Sequence, residues 1–241
     1  MFSILSCRQE IGRIESVKYY HDLEKTKIKQ EGTIIKVGGY KTGYWKVYFE
    51  NGNLQSEGDY NAGKQTGDWK FYHETGELLS QGKMVNGQKN GSWLQFFKNG
   101  KIASKTKYNL GKENGLSYYY YESGNLKTEL TRTNGIKNGT QMDYYESGAL
   151  LAKVDFVNDI EHGILESYYE NGNTNQLRTF VNGIEIGLHK EFYENGNLFV
   201  EGYWYKNNPI GTSKIYSTEG ELTTILEIDS LGNVISEKMM K

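Results

Sequence analysis

Residues 43–66 read Gly43-Tyr44-Trp45-Lys46-Val47-Tyr48-Phe49, Glu50-Asn51-Gly52-Asn53, Leu54-Gln55-Ser56-Glu57-Gly58-Asp59-Tyr60, Asn61-Ala62-Gly63-Lys64-Gln65-Thr66. Two short runs rich in aromatic and aliphatic side chains flank a turn signal, the pattern of a β-hairpin. A second Asn/Gly-rich turn then leads onward. The runs are too short, and too rich in Tyr, Trp, Phe and Val, for helices.

This stretch recurs. Gly43, Gly67, Gly91, Gly115, Gly139, Gly163, Gly187 and Gly211 stand 24 residues apart, and Gly52, Gly76, Gly100, Gly124, Gly148, Gly172, Gly196 and Gly220 keep the same step. A fixed period of this size marks a repeat protein, in which each unit buries its apolar side against its neighbours. The sequence therefore predicts an all-β, elongated single domain of about eight tandem 24-residue β-hairpin repeats, forming a twisted antiparallel sheet or solenoid over 19–241. Roughly sixteen strands at about 4.8 Å spacing would give a body about 75 Å long. Residues 1–18 read as an N-terminal tail. Ile28-Lys29-Gln30-Glu31-Gly32 echoes Leu54–Gly58, and Asp229–Val234 looks like half of a last unit.

Two columns stand out when the repeats are stacked. Tyr48, Tyr72, Phe96, Tyr120, Tyr144, Tyr168, Phe192 and Tyr216 are all aromatic. Leu54, Leu78, Ile102, Leu126, Leu150, Leu198 and Leu222 are aliphatic, with Thr174 the exception and Leu177 suggesting a local slip. These columns are expected to form the shared core. The residue before the turn glycine is Asn, Thr, Ser or Glu, which favours a type I turn with a G1 bulge over a type I′ turn and sets Tyr48 opposite Leu54. Against that register stands a trade in size: Trp45 with Gly58 and Trp69 with Gly82, but Ser117 with Leu130. Such compensation implies contact, which a type I′ turn supplies directly.

Composition narrows the function classes. With 28 Lys plus Arg and 30 Asp plus Glu, the formal charge of −2 gives no nucleic-acid footprint. No run of 18 apolar residues exists, so no transmembrane helix is expected. Cys7, the single cysteine, follows Ile4-Leu5-Ser6 in a string similar to a bacterial lipobox, although six residues are too few for a signal. Cys7 is thus either a lipidation candidate or incidental. The chain belongs in the cell envelope as a lipoprotein if a signal precedes it, and in the cytoplasm otherwise.

The unit Gly-x-Trp-x-x-Tyr-Tyr/Phe-x-x-x-Gly-x-Leu, best seen from Gly43 to Leu54 and from Gly67 to Leu78, resembles the MORN repeat in its bacterial variant form. From Ser117 onward the Trp position is degenerate. Such chains are often labelled YwqK-type antitoxin components of toxin–antitoxin systems, and the resemblance implies a hairpin-repeat fold and protein binding.

No catalytic set is visible. His21, His73, His162 and His189 form no metal-ligand spacing, and no phosphate-binding loop appears, so neither metal, cofactor nor enzymatic activity is expected. An acidic ladder, Glu50, Glu74, Glu122, Glu146, Glu170 and Glu194, is either a row of solvated turn residues or an edge that steers a basic partner. Trp45, Trp69 and Trp93 are candidate partner-binding residues, with ordinary core as the other reading. The functions expected are a protein-binding scaffold, possible as an antitoxin or immunity protein, or an envelope lipoprotein with a structural or carbohydrate-binding role. Turns fall at 50–53 and every 24 residues thereafter, so Gly124→Val is expected to lower stability by about 1–3 kcal/mol, because a β-branched residue is strained at positive φ. Thermal melting checks this, and an unchanged midpoint would remove the turn assignment.

Overall fold

The computed structural model describes residues 13–240. It is all-β: the described residues form twenty-two strands and no helix. They cluster into two compact units. The first ends at Ile102 and takes in Tyr108–Lys112; the second comprises Ala103–Lys107 and continues from Glu113.

In the first unit, strands Ile14–Tyr20, Ile28–Ile35, Tyr40–Tyr48, Leu54–Asn61, Lys64–Tyr72, Leu78–Val85 and Gln88–Phe96 pair antiparallel in chain order. Paired structure therefore begins at Ile14, inside the stretch expected as a tail. The second unit repeats the pattern through hairpins such as Ile160–Tyr168 with Thr174–Val181, and Gly187–Phe192 with Leu198–Tyr205. It closes with Val234–Met239 on Leu222–Ile228.

Two turn types alternate. At the first, Gly52 N–H donates to the Phe49 carbonyl at 3.0 Å and Phe49 N–H to the Asn53 carbonyl at 2.8 Å, with Gly52 at φ 89°. That is a type I turn closed by a G1 bulge, and it recurs at Gly76, Gly100, Gly124 and onward. At the second, Ala62 and Gly63 both have positive φ, and Asn61 faces Lys64 across a two-residue type I′ turn.

The two opposed register signals are both satisfied. Tyr48 faces Leu54, and a further shift then leaves Gln55 unpaired, so that Trp45 faces Gly58. One bulge closes the turn and a second restores the pairing beyond it. Thr174 causes no slip. It faces Tyr168 as its equivalents do, and Leu177 pairs with Glu166 on the following strand position.

The deepest burial is not in the Tyr48 and Leu54 columns, which lie at the turn end of each hairpin and stay partly exposed. It is at Trp45, Trp69 and Trp93, at 0%, 1% and 2% exposure. The cause lies in the junction between hairpins. Glu57 faces Lys70 and Asp59 faces Thr66, so Gly67-Asp68-Trp69 oppose the single Gly58. This wide bulge lays the Trp69 indole across the preceding strand. Its Nε1–H reaches the Asp59 and Thr66 carbonyls at 3.1 Å each, at the last ladder pair before the bulge. Trp45 does the same with the Thr33 and Thr42 carbonyls, and Trp93 with that of Lys83.

Glycine is required beneath each ring. A Cβ added at Gly32, Gly58 or Gly82 would lie 2.4–2.5 Å from the indole of Trp45, Trp69 or Trp93. The trade in size is therefore chiefly between one hairpin and the next. Further along, Thr106 occupies the glycine position and Ser117 the tryptophan position, both buried.

Gly82→Ala isolates this contact, because Gly82 needs no positive φ. The expected cost is about 1–3 kcal/mol from overpacking. In a Trp93→Ser background, which copies the Thr106/Ser117 combination, the same change is expected to cost clearly less. A double-mutant cycle on urea midpoints reads the coupling, and strict additivity would show that the indole is not what demands glycine.

Candidate functional site

Trp45, Trp69 and Trp93 carry the stack rather than present a contact surface. Tyr60 meets Trp69 edge-on at 5.2 Å, Phe71 stacks on Trp69 at 5.7 Å, and Lys41 and Lys89 lie over Trp45 and Trp93 at 4.2 and 4.5 Å. Buried this fully, the three indoles have no surface left for a partner. The acidic ladder residues are exposed at the turns. What those turns share is a backbone ladder: Asn51 and Asn53 both donate to the Glu74 carbonyl, Asn171 and Asn173 to that of Glu194. Cys7 lies outside the described residues. Among the described residues no group of three or more His, Cys, Asp or Glu is placed to hold a metal.

The Tyr48 column takes a polar role on the face opposite the indoles. Tyr48 donates to Glu31 at 2.7 Å, Tyr72 to Glu57 at 2.6 Å and Tyr216 to Glu201 at 3.0 Å, each reaching the preceding repeat. Burial and the Glu31 carboxylate push the Tyr48 hydroxyl up to about 12. In the first unit this face carries Asp59, Lys64, Asp68, Lys83, Gln88 and Ser92 at its repeat positions, with Tyr40 and Tyr44 exposed in the earliest repeat.

In the second unit several of these positions turn apolar, while Thr140, Asp155 and Thr179 stay polar. Val157 faces Ile160 and Val181 faces Ile184 across successive type I′ hairpins; Ile164 faces Thr179 and Leu188 faces Tyr203. Directly opposed residues share a face, as do residues two apart in a strand, so these side chains and Tyr205 project to one side. All eight are exposed, by 39% at Ile184 to 58% at Tyr203. Ile160 also reaches over Gly183, whose added Cβ would meet it at 3.1 Å, so neighbouring turns touch. Exposed apolar residues scattered singly need no explanation, but a contiguous set of this kind marks an interaction surface.

A charged network braces this surface from behind. His189 occupies the tryptophan position and stacks on Trp204 at 4.1 Å. Its Nδ1 lies 2.7 Å from Glu185 and its Nε2 3.0 Å from Glu191, and both bonds form together only when each nitrogen carries a proton. Arg178 pairs with Glu185 at 2.5 Å, and Asn207 accepts the Glu185 N–H at 2.7 Å. Glu185 and His189 are 3% and 5% exposed. Three members adjoin an apolar surface residue in sequence: Glu185 follows Ile184, His189 follows Leu188, and Trp204 lies between Tyr203 and Tyr205. Most of the network's polar atoms point at one another, and the buried Arg178 Nε is left without a hydrogen-bond partner.

Neither the apolar face nor this network emerged from motif reading. The face was present as a column, since Ile136, Ile160 and Ile184 fall 24 residues apart and Val157 and Val181 likewise.

The MORN repeat variant family profile matches 41–62, 65–86, 89–110, 113–134, 137–158, 161–182 and 185–207. No curated protein matches the chain. Among solved structures, the TcdB2-TccC3-Cdc42 complex is 10% identical over 95% of this chain and 15% of the other, with a TM-score of 0.24. TcdB2-TccC3 without the hypervariable C-terminal region gives 11% identity over 90% of this chain and 12% of the other, with a TM-score of 0.23. A porin-like protein from Bacteroides uniformis gives 10% identity over 93% and 92%, with a TM-score of 0.23. The chain thus spans about 15% or less of the first of these, and at such TM-scores none of them bears on its activity.

Burial pushes the Glu185 carboxyl up, but the hydrogen bonds from Arg178 and His189 outweigh it and hold the carboxyl below its ordinary 4.5. A carboxyl lowered by folding stabilises above its unfolded value, and that contribution fades as pH falls through the folded value. Glu185→Gln is expected to cost about 2–3 kcal/mol near neutral pH, because it removes the buried carboxylate that pairs with Arg178 at 2.5 Å. The gap from the parent should narrow below about pH 4. Urea titrations at several pH values measure the gap, and a constant gap would show that Glu185 is not held ionised by these partners.

Proposed function

Because the chain belongs to the MORN repeat variant family, we propose that it is a non-enzymatic scaffold for protein–protein interaction, working through the apolar face of its second unit. The observation that carries this reading is the group of half-exposed Ile, Leu, Val and Tyr side chains on one side of the second unit, at positions most of which hold Asp, Lys, Gln or Ser over 59–92. Apolar side chains at solvated strand positions do not help the isolated sheet, and they gain free energy only when another surface covers them. An antitoxin or immunity role is the case in which the covered partner is a toxin, as the family resemblance suggests. An envelope lipoprotein with a carbohydrate-binding role is the other reading, motivated by Cys7 and by Tyr-rich surface.

The test places a photo-crosslinking benzoylphenylalanine at Leu188 and, separately, at its polar equivalent Ser92, in cells of the source organism. A discrete protein adduct from Leu188 and none from Ser92 is expected. Adducts from neither position, with the protein retained on a glycan resin, would replace the scaffold reading by the carbohydrate one.

A further inference from the structure

Building on the scaffold reading, we infer that the apolar face of the second unit is covered by a second copy of this chain, the two faces packing as a two-fold sandwich.

Three observations lead to this occupant. First, strands pack substantially only on their neighbours in chain order, so each unit is a single layer. Stable β-structure ordinarily packs two layers about 10 Å apart, each covering the other's apolar face. The indole face of this layer covers itself with large rings and, around Glu185, with an ion-paired network. The face bearing Ile160, Ile164, Ile184, Leu188 and Tyr203 has only medium side chains and no such cover.

Second, the area fits. Eight side chains exposed by 39–58% offer on the order of 80 Å² each, or about 650 Å² per copy. Two such faces bury about 1,300 Å², within the range of stable interfaces.

Third, pitch and charge suit self-association. The apolar rows recur every two strands, roughly 10 Å apart. A second copy carries rows at the same pitch, so rows of one fit between rows of the other along the whole face, which an unrelated surface would not offer. The same face carries Lys153–Glu166 at 2.9 Å and Lys190–Glu201 at 3.3 Å, with Lys214 3.8 Å from Glu201, and Asp155 exposed opposite His162. Lys153, Lys190 and Lys214 stand against Asp155, Glu166 and Glu201, so like faces meet without one sign of charge dominating. A two-fold operation uses the same patch on both copies and closes the assembly at two.

Light scattering coupled to gel filtration and sedimentation equilibrium on the purified chain test this. The expected mass is twice 27.6 kDa at tens of micromolar, falling to 27.6 kDa on dilution. The double substitution Leu188→Glu with Tyr203→Glu, both exposed and outside the indole core, should weaken association at least a hundredfold. Its circular dichroism and melting should show an intact fold. Asp68→Lys with Ser92→Glu, the polar equivalents in the first unit, should leave the mass unchanged. A parent that stays monomeric at every concentration would overturn the inference. So would a dimer indifferent to the Leu188 and Tyr203 substitutions, or a monomer that instead binds neutral phospholipid vesicles through them. A monomeric parent that still gives a protein adduct from Leu188 in cells would leave the scaffold reading standing and remove only the self-association.

Discussion

The close approach of an indole to a glycine one hairpin earlier is the contact on which the first unit is built. A single-layer sheet has no second layer to fill its core, so apolar surface must be covered from within the layer. A tryptophan leaning sideways over the neighbouring strand does this, but only if that strand has no Cβ at the landing point. Gly32, Gly58 and Gly82 meet that demand. The bulge at Gly67 and Gly91 supplies the lean, and the backbone carbonyls beside it accept the indole Nε1–H. Ring, glycine and bulge therefore form one device, and changing any one member strands the other two.

Past Trp93 the device is dismantled in step. Threonine and serine replace glycine and tryptophan at Thr106 and Ser117, and Arg178 and His189 replace them later. The second substitution is the more demanding chemically. A guanidinium and an imidazole in that place require countercharge, and Glu185 and Glu191 provide it from the same face. Breaking such a pair costs much more than never having formed it. The network's gain over an indole lies in direction: Arg178, Glu185 and His189 fix one another's positions by hydrogen bonds that a ring stack lacks.

Much of the fold was legible in the sequence because it rests on local chemistry. Gly52 and its equivalents announce a turn, alternation announces strands, and a 24-residue period announces stacking. The conflict between the Tyr48–Leu54 and Trp45–Gly58 pairings came from allowing one bulge per hairpin where the chain uses two. The core was placed in the wrong columns for a related reason. At Tyr48, Tyr72, Tyr144 and Tyr216 the ring carries a phenol that reaches a glutamate on the preceding repeat, a half-buried role that Phe96 and Phe192 fill by their rings alone. Recurrence measures how strictly a position is constrained, and hydrogen bonding constrains as strictly as burial. The apolar face was harder to see because it is a departure from the repeat, confined to a few units, and consensus reading averages such departures away.

The separation of the two faces has a consequence for how such a sheet can change. Residues on the indole side hold each unit together through rings, bulge carbonyls or the Glu185 network. Residues at Ile160, Ile164, Leu188 and Tyr203 touch none of these and take their hydrogen bonds only through the backbone. Exposed strand positions tolerate substitution with small effect on stability. One side can therefore be rewritten from Asp68 and Ser92 to Ile164 and Leu188 while the other keeps the hairpins in register. The stiffness of that register matters for recognition, since side chains fixed at a regular pitch lose little conformational freedom when covered. A repeat whose stability lies on one face and whose surface chemistry lies on the other can thus acquire a docking face unit by unit, without rebuilding its core.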